Sequence, residues 1–94
     1  MPKYTVRIEL HDASWQNYAD LAKHMAAQGM IDVIQADDGV RYKMPPAEYN
    51  YVGAKTCQQV LDAAKGCASR VVNSYAVLVT ESNGRLWYGL PKVG

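Results

Sequence analysis

The chain has 94 residues, with 10 Lys and Arg set against 9 Asp and Glu. That describes one small, nearly neutral domain, since domains ordinarily run to about 100–150 residues. An apolar fraction of 49% and a charged fraction of 20% exclude a disordered chain and a strongly basic nucleic-acid binder. No apolar run approaches the ~18 residues that cross a bilayer, and the longest apolar patch, residues 75–79, is strand-sized. The N-terminus enters a strand pattern without signal-peptide architecture, so a cytoplasmic protein with no membrane partner is expected.

Residues 4–10 alternate, with Tyr4, Val6, Ile8 and Leu10 against Thr5, Arg7 and Glu9. This predicts a half-buried strand. Asp12 or Ser14 can cap a helix over 15–28. Its apolar stripe is Trp15, Tyr18, Leu21, Ala22, Met25 and Ala26, and Gly29 stands where a left-handed stop belongs. Residues 30–36 predict a second strand. The Asp38-Gly39 pair signals a hairpin into a third strand at 40–44. Pro45-Pro46 interrupts that strand, because proline cannot donate to a central ladder. Residues 48–52 resume an extended pattern.

Thr56 and Gln59 have capping-box spacing, and Val60, Leu61, Ala64, Cys67 and Ala68 form the stripe of a second helix. Residues 71–81 predict a long strand. Asn83-Gly84 signals another hairpin, with a returning strand at 85–90 ended by Pro91. The order β-α-β-β-α-β plus one C-terminal strand implies an α+β fold, a ferredoxin-like sandwich. A single domain spans 1–94, with a core over about 3–81 and the C-terminal hairpin strand at about 85–90. Right-handed crossovers would place both helices on one face, with strands one and three central.

The two cysteines, Cys57 and Cys67, would lie about 15 Å apart on one helix. That exceeds the ~7 Å that a disulfide allows. His11 and His24 have no metal-ligand spacing to each other or to a cysteine, so no metal site and no cofactor is expected.

The open sheet face would carry Thr5, Arg7 and Glu9 from strand one, and Arg41 and Lys43 from strand three. Arg7, Arg41 and Lys43 are the candidate RNA-binding residues, or equally the solvated side of a sheet. His11 and Asp12 follow strand one and are the candidate catalytic pair. Histidine titrates near neutral pH and can move a ribose proton, and a carboxylate can orient it or hold a metal ion. The bland alternative makes Asp12 a helix cap and His11 a loop residue. Tyr42, Tyr49, Tyr51, Trp87 and Tyr88 can stack on bases or fill a core. Leu86, Trp87, Tyr88 and Leu90 lie beyond a complete core and are the candidate homodimer interface. The first half of the chain carries five basic and seven acidic groups, and residues 51–94 carry five and two. Any RNA contact must therefore come from a local patch and weaken with salt.

Residues 36–49, with Asp37-Asp38-Gly39-Val40, Tyr42, Met44-Pro45 and Ala47-Glu48-Tyr49, resemble the GhoS-like family of short bacterial proteins. The order of elements is similar over roughly residues 4–81. This family includes the endoribonuclease antitoxin of type V toxin–antitoxin systems. The resemblance implies a ferredoxin-like fold, shared with small CRISPR-associated nucleases, and action on single-stranded RNA. In those nucleases an acidic residue at the end of the first strand takes part in metal-dependent cleavage within a dimer. Asp12 falls near that place, which makes magnesium an option. Two functions follow as expectations: an RNA-binding protein or endoribonuclease, and a non-catalytic dimeric structural or regulatory domain.

Overall fold

A computed structural model describes residues Met1–Gly94. It is an α+β fold of two helices and five strands: β1 (Lys3–Leu10), α1 (Trp15–Ala27), β2 (Val33–Gln35), β3 (Arg41–Lys43), β4 (Glu48–Val52), α2 (Cys57–Ser69) and β5 (Tyr75–Ser82). β1 lies between β4 and β5, antiparallel to both, and β2 and β3 form a separate two-stranded sheet. The sheets meet at one bridge, Ile31 to Asn50.

The alternation of β1 decides the layers. Tyr4, Val6, Ile8 and Leu10 are all buried and head a core of 13 residues. α1 adds Leu21 and Met25 to it, and α2 adds Val60, Ala64, Cys67 and Ala68. Both helices therefore cover one face of the main sheet, and Thr5, Arg7 and Glu9 belong to the other.

Local chemistry sets the helix ends. The Ser14 hydroxyl accepts from the Asn17 N–H at 3.2 Å, and the Asn17 carboxamide oxygen accepts from the Ser14 N–H at 2.9 Å. Ser14 is thus the cap, while Asp12 takes a left-handed turn at φ 52°. Gly29, at φ +80°, turns the chain out of α1 as expected. Thr56 and Gln59 form the capping box of α2. Trp15, expected on the buried stripe, is 79% exposed. It opens the helix and borders a groove beside Pro45 and Pro46.

Two expectations about strands are corrected. The third strand is two strands in two sheets. Pro45 and Pro46 stop β3, and the Ala47 carbonyl, at φ 62° in a left-handed turn, accepts from Ile8 N–H at 3.0 Å. β4 then pairs with β1, so the neighbour of β1 is residues 48–52 and not 40–44. The hairpin strand at 85–90 does not form. From Ser82 the chain leaves β5 and crosses the open face as an irregular arm. It rejoins the fold at β3, where Lys43 N–H donates to the Pro91 carbonyl and Val93 N–H to the Arg41 carbonyl, both at 2.9 Å. Proline is tolerated there because it need not donate. The Asp38-Gly39 hairpin does form, with Ala36 N–H to Val40 carbonyl at 2.8 Å and Gly39 at φ +90°.

Tyr49 sits in this core, 4% exposed. Burial first, and then the charge of Asp32, push its phenol up to about 12. An unfolded tyrosine ionises near 10. The stabilising neutral phenol is therefore fully present below pH ~10, and its contribution is lost as pH rises towards ~12. Urea denaturation at pH 9 and pH 11.5 should show wild-type stability falling across that window. Tyr49→Phe should remove a part of the fall on the order of 2 kcal/mol.

Candidate functional site

The end of β1 gathers the first set of functional side chains. The Tyr18 hydroxyl holds both backbone groups of Leu10, accepting from its N–H at 3.0 Å and donating to its carbonyl at 3.3 Å. Immediately beyond, His11 N–H donates to the Ser74 carbonyl at 3.0 Å. The imidazole then bridges two side chains. Its Nδ1 lies 2.7 Å from Ser74 Oγ and its Nε2 lies 3.1 Å from Glu9 Oε1. The carboxylate fixes the tautomer by accepting a hydrogen bond from Nε2–H, which leaves Nδ1 to accept one from the serine hydroxyl. The His11 and Glu9 side chains are 42% and 70% exposed, so a substrate on the sheet can reach them.

Asp12 stands outside this arrangement. It is exposed and takes part in neither hydrogen bond of the imidazole. No group of three His, Cys, Asp or Glu side chains comes together as a metal-ligand set. The partners of His11 are Glu9 and Ser74, which the sequence reading did not pair with it. Glu9 was legible, two residues back on the same strand face. Ser74 is placed by the pairing of Leu10 with Tyr75 across β1 and β5.

The candidate RNA-binding residues separate. Arg7 is exposed on the open face, in register with Glu48 on one side and Leu78 on the other. Arg41 and Lys43 sit on β3 in the small sheet, so they do not flank Arg7 as expected. Lys43 forms an ion pair with Asp32. Arg41 has no carboxylate partner and instead borders a cleft under the C-terminal arm.

That cleft is built by Arg85. The arm carries its guanidinium across the open face, where Nη1 donates to Asn50 Oδ1 at 2.8 Å and to Thr5 Oγ1 at 3.3 Å. Burial pushes the Arg85 guanidinium below its ordinary range, and no carboxylate offsets that cost. Asn50 is 8% exposed and bonds through both backbone groups and both polar atoms of its carboxamide. Its backbone exchanges hydrogen bonds with Ile31 at 2.6 and 3.0 Å, and its Nδ2 donates to the Val33 carbonyl at 3.2 Å. Farther along the arm, the Trp87 ring meets Tyr42 edge-on, with centroids 5.6 Å apart. The cleft has a cationic lobe of about 420 Å³ holding Lys3, Arg41 and Arg85. A lobe of about 540 Å³ beside Tyr42 and Trp87 adjoins it, and Lys3, Asp37 and Arg85 line both.

The four residues assigned to a dimer interface also separate. Trp87 and Leu90 are half-buried, whereas Leu86 and Tyr88 are fully exposed at 101% and 100%. No family model and no curated protein matches the chain. No helix is long and apolar enough to cross a membrane.

Asn50 positions the arm, so its removal should be costly. Asn50→Ala leaves Arg85 and the Val33 carbonyl without their partner, worth about 2–3 kcal/mol. Urea denaturation should show that loss. Limited proteolysis should then cut the arm at Leu86 or Tyr88 well before wild type.

Proposed function

We propose that this chain is a small RNA-binding protein or endoribonuclease of the GhoS-like antitoxin type, acting on single-stranded RNA, with His11 as the proton carrier of the endoribonuclease. The observation that carries this reading is the His11–Glu9–Ser74 cluster at the end of the face that bears Arg7. A strand lying along the end of β1 that the arm leaves open meets Arg7 and, about 13 Å farther at ~3.3 Å per residue, the His11 ring. The fold supports the ferredoxin-like reading: two helices on one face, β1 between β4 and β5, and the Ile31–Asn50 bridge where a fourth strand would stand.

The chemistry needs one base at a ribose. The imidazole takes the proton of the 2′-hydroxyl as that oxygen attacks the adjacent phosphorus. The bond to the 5′-oxygen breaks, and the leaving oxygen takes a proton from water. Glu9 holds the ring and stabilises the imidazolium that forms. Arg7 offsets charge on the phosphate. The products are a 2′,3′-cyclic phosphate and a 5′-hydroxyl.

Incubation of the purified protein with mixed single-stranded RNAs in EDTA tests this route. Cleavage should leave cyclic-phosphate ends and should persist without magnesium. His11→Ala should slow it by roughly 10²–10⁴-fold, the usual range for a general base, with RNA affinity unchanged. Arg7→Gln should weaken binding and flatten its salt dependence. Wild-type cleavage by His11→Ala would remove the assignment, and absence of both cleavage and binding at low salt would remove the reading.

The exposed Leu86 and Tyr88 favour a second reading, a non-catalytic dimeric structural or regulatory protein. Apolar side chains wholly in solvent are the material of an interface. On this reading light scattering should find a dimer that Leu86→Ser with Tyr88→Ser converts to a monomer. A wild-type monomer at high micromolar concentration refutes it.

A further inference from the structure

The geometry points to the cleft under the C-terminal arm as a binding site for a nucleoside monophosphate unit, with its phosphate on Lys3, Arg41 and Arg85 and its base against Trp87 and Tyr42. This goes beyond the RNA reading, because a free mononucleotide satisfies the cleft as well as the phosphorylated end of a strand.

Three observations carry it. The first is uncompensated charge. Lys3, Arg41 and Arg85 come from β1, β3 and the arm, segments far apart in sequence, and border one cavity. Within ion-pair distance Lys43 meets Asp32 and the His11 ring meets Glu9, so none of the three is paired with a carboxylate. Cations gathered from separate elements repel one another, and a bound anion removes that repulsion. The second is the state of Arg85. Both of its hydrogen bonds run through Nη1 to neutral oxygens. Nε and Nη2 keep their donors, in the planar fork that suits two phosphate oxygens.

The third observation is the adjoining aromatic lobe. Trp87 meets Tyr42 edge-on and is half-buried, and both rings line the lobe that Lys3 and Arg85 also border. A volume of about 540 Å³ takes a nucleoside, within the usual range for small-ligand sites. Asp37 lines both lobes and is their one carboxylate. It disfavours a bare polyanion and can accept from a ribose hydroxyl. A phosphate alone would leave the aromatic lobe empty, and an uncharged ring alone would leave the cations unpaired.

NMR titration of the labelled full chain with AMP, adenosine and inorganic phosphate tests the site. AMP should shift Lys3, the 35–37 segment and the Trp87 indole N–H saturably. Adenosine and phosphate should each bind at least tenfold more weakly. Arg85→Gln should lower AMP affinity by tenfold or more. Because that change also frees the arm, Arg41→Gln serves beside it and should weaken AMP severalfold with the arm in place. Trp87→Leu should weaken AMP and leave phosphate binding unaltered. A 5′-phosphorylated tetranucleotide binding more tightly than AMP, and than its 5′-hydroxyl form, assigns the cleft to the end of an RNA. Equal affinity for AMP and the phosphorylated tetranucleotide assigns it to a free mononucleotide. Phosphate binding as tightly as AMP, AMP shifts centred on Arg7 and His11, or no saturable shift overturns the proposal. RNA cleavage persisting beside such a failure leaves the RNA reading intact. Saturable AMP binding without any RNA binding or cleavage does the reverse.

Discussion

One buried carboxamide joins the three parts of this molecule. Asn50 belongs to β4 by its backbone, ties in the segment before β2 through Ile31, reaches β2 through Val33 and anchors the arm through Arg85. Each group is satisfied, as a buried polar residue requires. No apolar side chain of similar size meets these demands, because it would strand the Val33 carbonyl and the guanidinium together. The core holds the helices on the main sheet. Asn50 decides where the small sheet and the arm sit against it, and so whether a cleft exists.

The sequence revealed what depends on neighbours along the chain. The alternation of β1, a cap before α1, the Thr56–Gln59 capping box and the Asp38-Gly39 turn rest on residues within a few positions, and each forms. The split of the third strand was half legible. Pro45 and Pro46 marked the break, but which flank would pair with β1 depends on contacts some forty residues away. Asn83-Gly84 carried a strong local turn signal that tertiary contacts overrode. The hydrogen bonds of Arg85 to Asn50 and Thr5, and the contact of Trp87 with Tyr42, draw the arm across the sheet instead of back along β5.

The functional residues divide in the same way. His11 was legible as a titratable group past a strand, and Glu9 as its neighbour on one face. Ser74 came only with the register of β5. The charge of Arg41 is plain in the sequence, but its companions in the fold are Lys3 and Arg85, from opposite ends of the chain. The open face therefore has two unlike ends. One carries the His11–Glu9–Ser74 cluster, and the other carries cations without ion-pair partners beside aromatic rings. A net charge of +1 hides both, because most of the carboxylates that cancel the total lie elsewhere on the chain.

The arm also changes how the molecule comes apart. A two-stranded hairpin is marginal by itself, and residues 91–93 lend β3 a second partner. β2, β3 and the arm thus support one another and meet the main sheet through few bonds. Such a unit can open sub-globally while β1, β4, β5 and the helices stay folded. Amide hydrogens there would exchange as a group, ahead of those in β1. The cleft lies between this unit and the main sheet, so a bound anion would act as a cross-link between the two.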